Sequence, residues 1–370
     1  MHLTRLTAII GAIGLLLVCS AGADAATPTC GTGQVYTETN DPAGNQLVVL
    51  KAGRDGLLTQ RQLVDAGGLG IGEHVTSGGS VVVSPDGCRV AAVNAASGAV
   101  ALFTVAANGR VTFAGSAATG GAEAISVALH GDMVATLSTT PGGSTTIRTF
   151  TIGAKRVTPV PGSLQSVGTA TDGGQIAFTA RGRYLVVSTR KSLGLVTFRV
   201  GADGVPAPAE SLIPDAPLWT YGFALTQHNQ AIVSLADIRE PVSGAYGSYA
   251  ISPAGGITQV TAPLPNQPAA CWVAIAPDGK YAWGVNFDAM QVITMSVSST
   301  GAIAAIGAVS NGTSSGRDLA ISADGRFAYL LRPDAKDIYV FRIGTKGALT
   351  FVGTSATPTT AVATAGIAAT

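Results

Sequence analysis

The stretch Ser80–Gly115 reads SVVVSPDGCRVAAVNAASGAVALFTVAANGRVTFAG. Four short runs lie in it, Ser80–Val83, Val90–Val93, Val100–Val105 and Val111–Gly115. They are rich in β-branched and aromatic residues and show no helical period. Ser84-Pro85-Asp86-Gly87 and Asn108-Gly109-Arg110 separate them as hairpin signals, because Gly and Asn accept positive φ at little cost. Several runs are apolar at nearly every position rather than alternating, as in a sheet covered on both faces. The stretch therefore predicts one four-stranded antiparallel blade packed between two others.

The same pattern recurs along the chain. One ladder of turns runs Ser84-Pro85-Asp86-Gly87, His130-Gly131-Asp132, Arg181-Gly182-Arg183, Gln227-His228-Asn229, Pro277-Asp278-Gly279 and Ala323-Asp324-Gly325. Its members lie roughly 44 to 51 residues apart, the period of propeller blades. A second ladder interleaves with it: Asp55-Gly56-Leu57, Asn108-Gly109-Arg110, Ala154-Lys155-Arg156, Asp203-Gly204-Val205, Gly255-Gly256-Ile257, Gly301-Ala302-Ile303 and Gly347-Ala348-Leu349. The third member has lost its glycine, which marks the most degenerate unit. Seven units of about 48 residues account for about 340 residues. The first unit begins at Val35–Thr39, which matches a second strand, and lacks a first. The small apolar run Ala361–Thr370 is the natural donor of that missing strand. The expected fold is all-β: a seven-bladed β-propeller of four-stranded antiparallel blades, its ring closed by the C-terminal strand. It spans residues 26–370 as one domain.

Residues 1–25 read as a secretory signal peptide, with Arg5, an apolar run Leu6–Val18 and the small-x-small site Ala23-Asp24-Ala25. A lipoprotein signal on Cys19 is the alternative, but Leu16-Leu17-Val18 fits it poorly. The mature chain is thus expected to be secreted or periplasmic, without a stable membrane anchor. Beyond the leader stand Cys30, Cys88 and Cys271. The repeat places Cys30 and Cys88 beside equivalent strands of adjacent units, which makes them the better disulfide pair; three free thiols remain the alternative.

Composition narrows the function classes. The chain has 370 residues, 22 Lys+Arg against 21 Asp+Glu, 12% charged residues and 48 glycines. A net charge of +1 leaves no basic surplus for nucleic acid. No metal signature and no cofactor motif occurs: Gly67, Gly68, Gly70 and Gly72 precede no helix, as a dinucleotide fingerprint requires. Gly312-Thr313-Ser314-Ser315-Gly316 leads into a strand, not a helix, so it is no nucleophile elbow. Asn311-Gly312-Thr313 is formally a glycosylation sequon. A monomer is the expectation.

The run Gly33–Asn45 with Arg54-Asp55-Gly56-Leu57-Leu58-Thr59, Ser84-Pro85-Asp86-Gly87 with Val93-Asn94, and Ala270-Cys271-Trp272-Val273 with Pro277-Asp278-Gly279 resemble exported bacterial lactonase-family propellers. That family includes phosphogluconolactonases and carboxymuconate-lactonising enzymes. The resemblance implies a lactonase-like protein that hydrolyses or binds a small lactone-type or polar ring compound at the mouth of the central channel. It also implies a histidine at the start of an inner strand, with an Arg and a Glu nearby. Here those starts (Gly78-Gly79-Ser80, Glu123, Gly174, Tyr221, Ala270-Cys271-Trp272, Arg317-Asp318) hold none. A non-catalytic binding platform for a protein or envelope glycan is therefore the alternative.

Blade topology puts both turn ladders on one face and the longer, more varied loops on the other. The loop face carries Asn40, Asp41, Glu73, His74, Asn94, Glu123, Arg190, Lys191, Trp219, Tyr221, Asp237, Arg239, Glu240, Trp272, Asn286, Asp288, Arg317, Asp318, Arg332, Asp334, Lys336 and Asp337. A charge-poor chain thus gathers charge and two of its three Trp on one face; the plain alternative is that loops are polar to be soluble. The expected catalytic set is His74 as base, Arg317 for the oxyanion, and Asp318.

Overall fold

The computed structural model describes residues 29–75, 77–140, 143–153, 156–169, 171–213, 218–236, 243–358 and 363–370. The leader, Cys19, the turn residues 154–155, and Asp237, Arg239 and Glu240 lie outside the described residues. Seven antiparallel sheets succeed one another along the chain. Blade 2 is made of Val81–Val83, Arg89–Asn94, Ala99–Val105 and Val111–Ala118, ordered from the channel outward. Blades 3 to 7 begin with inner strands Glu123–His130, Gly173–Phe178, Trp219–Leu225, Ala270–Ile275 and Leu319–Ile321. Blade 1 holds Gln34–Glu38, Gln46–Ala52 and Leu58–Asp65, and takes its inner strand, Ala365–Ala369, from the other end of the chain. The fold is a seven-bladed β-propeller closed by the C-terminal strand. Among the described residues the only helical pieces are two 3₁₀ turns, Pro333–Ala335 and Thr345–Gly347, and no helix is long and apolar enough to cross a membrane.

Middle strands are apolar at consecutive positions because both of their faces are covered. Tyr184–Thr189, Gln230–Ala236 and Phe327–Arg332 are buried throughout. Each core cluster joins neighbouring blades; one packs Val48 and Leu50 of blade 1 on Phe327, Tyr329 and Leu331 of blade 7 and on Ile367 of the closing strand. Small residues admit large ones across these seams. A Cβ on Gly284 would stand 2.2 Å from the Tyr246 ring of the preceding blade, whose hydroxyl donates to Asn286 at 2.9 Å.

The outer edges hold little charge, yet they are not flat. In blades 1, 2, 4, 5, 6 and 7 the outer strand carries a one-residue bulge at an equivalent place. In blade 3 it is broken into Arg156–Pro159 and Gln165–Gly168, the degeneracy expected of that unit. Bulges and breaks twist an exposed edge out of register with any other strand. Cys30 and Cys88 are joined by a disulfide, with Cα atoms 4.8 Å apart, which ties the start of blade 1 to the first turn of blade 2. Cys271 is a buried free thiol. Asn311 is 0% exposed, so the sequon is closed to modification in the folded chain.

One buried acid stands between blades 1 and 2. Glu38 is 1% exposed. Its Oε2 accepts from Asn45 Nδ2 at 2.7 Å, while Oε1 has no partner. Burial pushes its carboxyl up to about 8 from an ordinary 4.5, against hydrogen bonds from Asn45 and Ser80. The unfolded chain ionises Glu38 near pH 4.5 and the folded chain only near 8, so folding stability falls as pH rises through that window. We expect Glu38→Gln to remove this fall, leaving the variant more stable than wild type by up to about 5 kcal/mol above pH 8. Urea denaturation between pH 4 and 9 checks it; parallel curves for the two proteins would contradict it.

Candidate active site at the channel mouth

The glycine-rich segment between blades 1 and 2 is a strap across the channel. Its first half is latched to blade 1. Asn40, held at φ 50°, donates from Nδ2 to the Glu73 carbonyl at 2.6 Å and accepts the Ile71 amide on Oδ1 at 2.9 Å. Gly70 lies so close to that turn that a Cβ would stand 2.0 Å from the Asn40 carbonyl carbon. The second half touches blades 3, 4 and 6. Val75 packs in one cluster with Ile125, Ile176 and Val187. The Gly78 amide donates to Gly174 at 3.3 Å, and Ser126 Oγ donates to the Gly78 carbonyl at 2.7 Å. From blade 6, Trp272 Nε1 donates to the Ser77 carbonyl at 3.0 Å.

The strap sets His74 on an aromatic floor. Its ring meets Trp272 edge-on at 5.7 Å, and Trp272 in turn meets Tyr221 at 5.6 Å and Phe287 at 6.4 Å. Two guanidiniums flank this floor. Arg190 lies 5.5 Å from the Tyr221 ring centre and Arg317 lies 5.4 Å from that of Phe287. Each is held by an aspartate: Arg190 by Asp172 at 2.6 Å, with Lys191 at 3.6 Å from the same carboxylate, and Arg317 by Asp334 at 3.1 Å. In both arginines Nε is enclosed and has no hydrogen-bond partner. A buried N–H without an acceptor is costly, and both guanidiniums bear that cost beside the aromatic floor.

Charge and burial tune the titratable groups. Burial, then the Arg317 and Arg190 charges, push the His74 imidazole down to about 3, so the free site holds it neutral. Glu123 is raised foremost by burial; Arg190 lowers it, while Asp172 and Glu73 raise it. Burial pushes the Cys271 thiol up to about 12, which leaves it a protonated core group and no nucleophile. Among the described residues no group of three or more His, Cys, Asp or Glu could hold a metal.

The structure thus brings His74, Arg317, Arg190, Glu123, Tyr221 and Trp272 together. Other candidates lie elsewhere. Asp318, at φ 81°, turns its carboxylate to backbone: Oδ1 accepts the Leu319 amide at 2.9 Å and Oδ2 the Ile367 amide of the closing strand at 3.2 Å. Burial still raises that carboxyl to about 7. Asn94 is buried, giving Nδ2 to Ala66 at 2.8 Å and accepting from Asn45 at 3.0 Å. Asn286 joins Tyr246 to Gln267, and Arg332 grips Asp337 through Nε and Nη2 at 2.8 and 2.6 Å. Trp219 is half-buried at the start of its strand; Glu73 and Asp288 are exposed. Asp172 and Phe287 went unread in the sequence. Asp172 stands just before an inner strand, the register place that Arg317 and Asp318 occupy, and that equivalence is the signal for it.

Comparison with known proteins agrees with this architecture. Residues 248–364 match the family model of the lactonase seven-bladed β-propeller. A candidate 6-phosphogluconolactonase of Bacteroides uniformis superposes with a TM-score of 0.72 at 16% identity, over 90% of this chain and 99% of that one. A periplasmic gluconolactonase of Pseudomonas aeruginosa gives 0.70 at 15%, over 88% and 96%. No curated protein matches by sequence. The chain is a seven-bladed propeller that resembles the lactonase family; at these identities the solved structures speak for the fold alone.

Trp272 is the strap's hold on blade 6. Trp272→Phe removes the bond to Ser77 while keeping an aromatic ring. We expect a loss of about 1 kcal/mol in global stability, and faster hydrogen exchange confined to the strap. Unchanged exchange there would show that the other latches suffice.

Proposed function

We propose that the channel mouth is a lactone hydrolase site for a small polar ring compound that bears a negative charge. The observation that carries this is the pair of guanidiniums, Arg190 and Arg317, set on either side of the Tyr221–Trp272–Phe287 floor with His74 within reach of both charges. The ring lies on the aromatic floor. Arg190 takes the ligand's anionic group, and Arg317 stabilises the oxyanion that forms at the lactone carbonyl. Water adds to that carbonyl and loses its proton to Glu123, whose raised pKa suits a base. The ring C–O bond then breaks, the alkoxide takes the proton back from Glu123, and a hydroxy acid leaves. Ligand charge between the arginines offsets only their share of the depression of His74; burial, the larger cause, remains. Asp318 is a positioning residue in this scheme. Residues 1–25 and the Cys30–Cys88 disulfide support export to an oxidising compartment as part of the reading.

The low basicity of His74 favours a second reading, a binding platform without turnover for a protein or envelope glycan. Hydrolysis of a panel of neutral and carboxylated lactones separates the two. We expect Glu123→Gln to lower kcat by about 10²-fold or more and Arg317→Ala by about 10²–10³-fold. Arg190→Gln raises KM for the charged lactones only. Wild-type rates should rise with pH as Glu123 ionises. Rates equal to buffer for every lactone, or indifferent to all three substitutions, would leave the platform reading.

A further inference from the structure

The turn face holds a second concentration of charge. Between blades 1 and 2 a cleft of about 550 Å³ is lined by Lys51, Arg61 and Arg110, with Gln34, Gln62 and Asn108, and no carboxylate is among its lining residues. It lies on the opposite side of the ring from the mouth. The repeat itself shows that Arg61 is not architectural. Arg61 is the extra residue of the outer-strand bulge in blade 1; the same bulge carries Ala114, Ala209, Val260, Ile306 and Val352 in the other blades that have one. Arg110 follows the glycine of the third-to-fourth-strand turn, where five units place Leu57, Val205, Gly256, Ala302 and Ala348 and the third, which lacks the glycine, places Arg156. The bulge position, small or apolar in the other blades that have one, is thus arginine only at this seam, and a second arginine stands beside it. A bulge is also a device that re-aims its side chain.

The cleft is built before any ligand arrives. Gln62 clasps Val111 of the next blade at both ends, Nε2 to its carbonyl at 3.3 Å and Oε1 from its amide at 2.9 Å. Gln34 Nε2 donates to Gly109 at 2.7 Å, and the Cys30–Cys88 disulfide ties the same two blades. Lys51 Nζ rests on the Thr32 carbonyl. Arg61 and Arg110, by contrast, make no ion pair or side-chain hydrogen bond among the described residues. Their guanidinium forks are free to meet oxygens two at a time. Three like charges around one rigid cleft are offset best by a dianion with several oxygens, and the volume admits a sugar behind it.

We propose that this cleft binds a phosphoryl group, either as free phosphate or carried on a sugar. The inference is independent of the lactone reading, since it uses no residue of the mouth. Calorimetric titration of the purified protein with inorganic phosphate and with a hexose 6-phosphate tests it. Binding of at least one probe is expected, weakened by added NaCl. Arg61→Gln/Arg110→Gln should weaken it about tenfold or more with an unchanged thermal midpoint, because both side chains are exposed. A tighter hexose phosphate identifies a carried group, and equal affinities identify the free ion. Absence of binding by both probes, or equal affinity in the double variant, would overturn the proposal.

Discussion

Closure of the ring is the constraint on which the rest of this molecule depends. Each blade is covered on its two faces only because it has a neighbour on each side, so an open ring would leave apolar faces at the break. The break is mended by the last strand. Ala365–Ala369 pairs antiparallel with Gln34–Glu38, and Thr370 exchanges hydrogen bonds with Gln34. Thr37 Oγ1 donates to the Ala365 carbonyl at 3.1 Å, and Asp318 of blade 7 accepts the Ile367 amide. Two chain ends, more than 300 residues apart, thereby become one sheet. Cooperative stability follows, since no blade can loosen without uncovering the next.

The mouth inherits its chemistry from the same closure. A closed ring defines a central channel, and the strap between blades 1 and 2 crosses it because glycines let the backbone lie against Asn40 and Gly174. The strap carries a histidine to a floor built by blades 5 and 6. Arg190 arrives from blade 4 and Arg317 from the start of blade 7. Inner-strand bulges at Ile125 and Cys271 turn the strand starts into the mouth. Strands supply Glu123, Tyr221 and Trp272, and the loops between strands carry His74, Arg190 and Arg317.

Low charge and high glycine content are mainly architectural, as the turn ladders and the doubly covered strands show. Charge that the repeat does not demand then becomes informative. Arg61 stands out because five sister blades supply a baseline for its bulge position. The same comparison would have drawn attention to Asp172, which shares a register place with Arg317 and Asp318. Asn94 and Asn286 show where loop-face logic fails. Both end a second strand, where a polar side chain is as useful for capping a neighbouring blade's backbone as for meeting a ligand, and no local pattern distinguishes the two.

From the sequence alone came the number of blades, the turn ladders, the degenerate third unit, the missing first strand and the run that replaces it. Those features are local or periodic, and hydrophobic pattern and turn chemistry are read over a few residues. Tertiary structure alone decided that His74 meets Trp272, that Arg190 and Arg317 face it with unpartnered Nε atoms, and that Asp318 turns to backbone. These are contacts between blades, some joining residues nearly 200 positions apart. Their formation depends on the angle and curvature of the ring, which no single segment encodes.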